Sequence, residues 1–159
     1  MKRYGPLIAD GGALVVGDPG RHHLRLTPDA IVVRTGETGD GIFTWDGLER
    51  VVFTVPTTRF RLPGLVSTIA LSVVTVLTAD SLDLDPEDGS VDLVLSERTV
   101  TVPLSRHHIG GYWAPTVTGA HRLIAQLIRA PEQRPLLAHP ESLIDVAAKL
   151  ARSVADTDG

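Results

Sequence analysis

A chain of 159 residues with 43% hydrophobic content is sized for one domain and one added element, and folding at that length buries roughly 70% of the extended surface without cross-links. Cysteine is absent, which excludes disulfides, thiolate metal ligands and cysteine nucleophiles and is compatible with a reducing compartment. The formal net charge of −4 argues against a general polyanion binder, nucleic acid included, because such a protein gathers Lys and Arg on one face.

The N-terminus, Met1 to Pro6, carries positive charge but lacks the apolar run of a signal peptide, and a cytoplasmic protein is expected. Leu14-Val15-Val16 reads as a lead-in strand closed by the turn Gly17-Asp18-Pro19-Gly20. His22 to Leu26 and Ala30 to Arg34 are two extended runs around Thr27-Pro28-Asp29, where Pro28 fixes a turn because it cannot continue a ladder. Gly36 to Gly41 is a glycine-rich loop before a third strand at Ile42-Phe43-Thr44-Trp45. After the break at Asp46-Gly47-Leu48-Glu49, extended character resumes from Arg50 to Arg61, with Val51, Phe53 and Val55 on one face.

Leu62 to Ala79 contains no charged residue and approaches the ~20 apolar residues that span a bilayer. Its Ser and Thr content and its alternation from Ser67 to Val73 favour a half-buried strand instead. Asp80 to Ser90 is acidic and turn-rich. Val91, Leu93 and Leu95 then alternate with polar residues, and a turn at 96–99 leads to Val100, Val102 and Leu104, a clear hairpin. Beyond Gly110-Gly111 the period changes: Ala120, Leu123, Ile124, Leu127 and Ile128 recur as one helical face, with Thr116 or Thr118 as cap and Pro131 as stop. A second helix is expected from about Pro140, with Leu143, Ala147, Leu150 and Val154 on its apolar stripe.

Strands followed by helices favour an antiparallel sheet covered on one side. The segment from His23 to Val33, a strand ending in Leu26-Thr27 that turns into an apolar strand, resembles the first hairpin of bacterial pleckstrin-homology-like, GRAM-type domains. Phe43 to Val51, with its tryptophan, short turn and following Leu48 and Val51, is similar to their third strand. The resemblance covers about residues 13–130. It implies a mainly β chain with C-terminal helices, an α+β class: a seven-stranded antiparallel sheet or barrel capped by a helix. Residues 131–159 are then an added helical extension packed on the domain or on a partner subunit. The resemblance also implies a binding module rather than a catalyst, although fold alone names no ligand.

Chemistry-bearing motifs resolve into structural ones. The pairs His22-His23 and His107-His108 cannot readily share a metal, since neighbours on a strand point to opposite faces. Asp83 to Gly89 fails the calcium-loop register, with Asp88 where Gly is needed and Val94 where a bidentate Glu is needed. No nucleophile elbow or phosphate loop is present, so no enzyme, cofactor or metal is expected. Trp45 reads as a core plug whose indole N–H finds a local acceptor. Candidate binding residues are Arg59 and Arg61, a small basic edge around Phe60, and Tyr112 and Trp113, two aromatics between glycines and Pro115. We expect a protein-interaction or scaffolding module that binds a protein partner or self-associates as a small homo-oligomer. An anionic-lipid or membrane-surface binder is the alternative, disfavoured by the acidic turn Thr27-Pro28-Asp29; an unrecognised enzyme is the third reading.

Overall fold

The computed structural model describes residues 1–35, 40–58, 89–107 and 110–155. Six strands follow one another as an antiparallel meander: β1 (Arg3–Tyr4), β2 (Leu7–Asp10), β3 (Ala13–Gly17), β4 (His23–Leu26), β5 (Ala30–Arg34) and β6 (Gly41–Thr44). Between β2 and β3, Gly11 and Gly12 both take positive φ, 51° and 73°, the backbone that lets a two-residue turn follow the strand twist. Between β4 and β5, the Thr27 amide and hydroxyl both donate to Ala30 O, at 3.0 and 2.8 Å.

Period-two alternation sorts this sheet into two faces. Leu7, Ala9, Leu14, Val16, Leu24, Leu26, Ile31 and Val33 enter the core. The opposite face carries the cross-strand row Arg3–Ile8–Val15–Arg25–Val32–Ile42. In that row Ile8 and Val15 are fully buried, whereas Ile42 is 72% exposed.

A 3-10 turn, Trp45–Gly47, leads into the second sheet. There β7 (Leu48–Thr54), β9 (Gly89–Leu95) and β10 (Thr99–Leu104) pair antiparallel in the order β10-β9-β7. The short β8 (Thr57–Thr58) lies parallel to β11 (Tyr112–Trp113). Where β10 ends, Ser105 bonds across to the first sheet: its carbonyl accepts from Asp18 N and its amide donates to His22 O, both at 2.9 Å.

Helix α1 (Ala114–Arg129) begins earlier than a Thr116 or Thr118 cap would place it. Pro115 suits the first turn, and the Thr116 hydroxyl instead donates back to Trp113 O at 2.6 Å. Ala130 and His139 each precede a proline and are pushed out of helical backbone. Between them runs a 3-10 stretch, Pro131–Ala138, before α2 (Pro140–Ala155). The helices cross where both are thin: a Cβ on Gly119 would lie 2.6 Å from Ala147 O and 3.0 Å from Ala151 Cβ. Leu143, Ile144 and Ala147 of α2 join one core with both sheets and α1, and Lys2 Nζ pairs with Asp145 at 2.6 Å.

The chain is therefore α+β, mainly antiparallel strands with helices after them. The seven-stranded sheet or barrel expected above is corrected. Among the described residues the strands divide into sheets of six, three and two, and no sheet closes on itself. The split has a local cause: the 3-10 turn after Thr44 redirects the chain, so β7 pairs with β9 and not with β6. The expected strand at 67–73 and the acidic turn at 83–88 lie outside the described residues.

Candidate functional site

The proposed aromatic pair is split by strand alternation. Tyr112 is 2% exposed, with its amide on Pro56 O at 2.8 Å and its hydroxyl 3.0 Å from His107 Nδ1. It is a core residue and offers no surface. Trp113 is half-buried at the residue before α1. Arg59 and Arg61 lie outside the described residues. Trp45 is 1% exposed, and its indole N–H donates to Thr27 O at 2.8 Å.

No group of three His, Asp or Glu among the described residues is arranged to hold a metal. No helix among them is long and apolar enough to cross a membrane. An open cleft of about 520 Å³ lies between the Gly11-Gly12 turn and the start of α2, with the acids Asp10 and Glu141 at its walls. These carboxylates oppose the positive helix end that would otherwise attract an anion.

Sheet edges are the remaining places where backbone chemistry is on offer, since an edge strand presents free N–H and C=O groups. At one end of the meander, β1 is two residues long and α2 packs against it. On β7, an α1 side chain takes an edge amide: Phe53 N donates to His121 Nε2 at 3.0 Å, with the two rings stacked at 3.8 Å. Burial holds the His121 pKa below the ordinary histidine value. A backbone bond raises a histidine pKa when the ring donates; here the amide donates and needs the Nε2 lone pair, so this contact also keeps the ring neutral. On β10, Pro103 removes one N–H from the strand.

Among the described residues, the edge at β6 has none of these devices. Its sequence, Gly-Ile-Phe-Thr, carries no charge and no proline. Register decides which of its peptide groups are free. Thr27 N bonds to Ala30 O, so Ala30 faces β4. By alternation Ile31 and Val33 bond to Phe43 and Gly41. The Ile42 peptide groups and the Thr44 N–H therefore point away from β5, whereas the Thr44 carbonyl opens the 3-10 turn; no other described strand pairs there. The exposed Ile42 side chain stands beside half-buried Val32. Sequence alone showed a strand at 42–45 but not that it ends a sheet, because no local pattern reports strand order. The chain matches no family model, no curated protein and no solved structure.

Proposed function

We propose that this chain is a non-enzymatic binding module that receives an extended protein segment along β6. The observation that carries the reading is the edge at Ile42 and the Thr44 amide, unpaired among the described residues and uncharged where the other described sheet edges are short, capped or interrupted by proline. Strand addition draws affinity from main-chain hydrogen bonds and selectivity from alternate side chains. Here the alternate position is Ile42, flanked by Val32, which favours an apolar residue in the incoming strand. The resemblance of residues 23–33 and 43–51 to pleckstrin-homology-like domains, which implies a binding role, supports the same reading.

Peptides selected from a displayed random library test it. Binders should slow hydrogen exchange at the Ile42 and Thr44 amides and be lost in Ile42→Lys. Binders that leave both amides exchanging freely, or that survive Ile42→Lys, refute strand addition at β6.

A further inference from the structure

One titratable ring joins helix α1 to β7. We propose that His121 is a pH-sensitive latch between these two elements: the neutral ring holds the Phe53 amide, and its protonation releases that amide while the sheets stay folded. The Phe53 N–H donates to Nε2 at 3.0 Å, and the two rings stack with centroids 3.8 Å apart and planes 26° from parallel. Phe53 is 2% exposed, so its amide has little access to water while the contact is closed. A lone pair on Nε2 exists only in the neutral ring that carries its proton on Nδ1. Protonation puts a hydrogen on Nε2 facing the amide hydrogen, and a hydrogen bond becomes a contact between two donors.

The charged groups of the surrounding elements are engaged elsewhere or exposed. On β7, Glu49 and Arg50 are exposed near the start of the strand, and the residue opposite Phe53 is Val91. Asp92 opposes Val52 and accepts from Thr101 Oγ1 at 2.6 Å. Helix α2 crosses α1 at Gly119, two residues or about 200° round the helix from His121. Its charges, Glu141, Asp145, Lys149 and Arg152, therefore lie across α1 from the ring. On β8 and β11 no residue is charged, and the Tyr112 hydroxyl sits 3.0 Å from His107 Nδ1. In the 3-10 stretch after α1, Glu132 is exposed and Arg134 is turned onto Leu127, Ile128 and Asp46. On α1 itself Arg122 is exposed and Arg129 donates to Ala125 O. Among the described residues the ring is governed by burial, which disfavours its charged form, and by the Phe53 amide, which needs its lone pair. Both act in one direction. The latch stays closed above the ordinary histidine value near 6.5 and opens as pH falls through the lower value of the folded ring.

Amide hydrogen exchange on the whole chain from pH 8 to pH 5, corrected for the intrinsic rate at each pH, tests the latch together with the nitrogen chemical shifts of the His121 ring. At pH 8 the shifts should report a neutral ring with its proton on Nδ1. Protection of the Phe53 amide should be level down to about pH 6.5 and then fall about tenfold per pH unit, because opening takes up one proton. Leu93, in the central strand β9 of the same sheet, should remain protected after Phe53 has lost its protection. In His121→Gln, whose side-chain oxygen accepts from the amide at every pH, Phe53 protection should not vary. Four results on the wild-type chain overturn the latch: a neutral ring protonated on Nε2, Phe53 protection that is level to pH 5, a ring that titrates while the Phe53 amide stays protected, or simultaneous loss at Phe53 and Leu93. These are read whether or not the variant folds. An equal loss of Phe53 protection in His121→Gln overturns it as well.

Discussion

Arg134 is the residue whose loss should damage the fold most for a polar side chain. It is 9% exposed, in the 3-10 stretch after α1. Its Nε donates to Leu127 O at 3.1 Å and its Nη2 to Ile128 O at 3.2 Å. These are carbonyls of the last helical turn, which have no partner within the helix. Nη1 reaches Asp46 Oδ1 at 2.9 Å, and the guanidinium lies 5.6 Å from the Trp45 ring centre. Trp45 is in turn fixed on Thr27 O, so one side chain ties the end of α1 to the turns after β4 and β6.

Arg134→Ala removes two charge-assisted bonds of about 1.5–3 kcal/mol each, near the lower figure because the freed carbonyls partly rehydrate. It also removes a cation–π contact of about 0.5–2 kcal/mol. The Asp46 pair adds less than about 1 kcal/mol, because that carboxylate is 88% exposed and screened. The expected loss is about 3–5 kcal/mol, or about 6–20 °C in melting temperature for a chain of this size. Arg134→Lys keeps the charge but not the fork, and should lose about half as much. Urea unfolding of Arg134→Ala, Arg134→Lys and Asp46→Ala checks the partition. If Asp46→Ala costs as much as Arg134→Ala, the ion pair dominates and the carbonyl-capping argument is refuted. An Arg134→Ala chain that stays within about 1 kcal/mol of wild type refutes it equally.

Other expectations follow from single contacts. His121 has a lowered folded-state pKa, so the unfolded chain binds more protons; its contribution is complete above the unfolded value near 6.5 and is lost as pH falls through the folded value. Urea midpoints from pH 5 to 8 should fall on the acid side in wild type and fall less in His121→Gln, whose amide oxygen can still accept from Phe53; equal slopes would exclude His121 as the cause. Gly119→Ala gains about 1 kcal/mol of helix propensity but loses about 1–3 kcal/mol to overpacking against Ala147 O, so thermal melts should show net destabilisation, and a raised melting temperature would mean that the α1–α2 crossing can open. Trp45→Phe leaves Thr27 O without its indole donor and should cost about 1–3 kcal/mol by urea unfolding.

Local chemistry made some elements legible and hid others. The hairpin of β9 and β10 was readable because Val91 and Leu93 alternate with polar residues and are both fully buried. The helices were readable from their three-and-four spacing, and Trp45 from its neighbours. The β1–β2 hairpin was not anticipated, since Arg3–Tyr4 is too short to show a period. Its neighbour was within reach: Leu7–Asp10 and Ala13–Gly17 are apolar runs separated by Gly-Gly, a two-residue hairpin signal. Tyr112 and Trp113 could not be ranked from composition. Which of two adjacent aromatics turns inward depends on β11 pairing with β8, a contact between residues more than fifty positions apart.

The same limit explains why the unpaired edge at β6 emerged only from the assembled sheets. Nothing in Gly-Ile-Phe-Thr distinguishes an end strand from a central one, and its neighbour β5 is equally apolar. Edge status is a property of strand order, set here by the 3-10 turn that carries the chain out of the first sheet after Thr44. Once the order is known, the contrast among edges carries the argument. Helix α2 rests on β1, the His121 ring takes the Phe53 amide on β7, and Pro103 interrupts β10. Exposed edges invite unwanted pairing, and proteins blunt them with such devices. At β6 an isoleucine stands exposed beside peptide groups that no described strand pairs, at a position where a lysine would discourage strand pairing. Among the described residues β6 is the edge without such a device, and that contrast is what the peptide-exchange experiment probes.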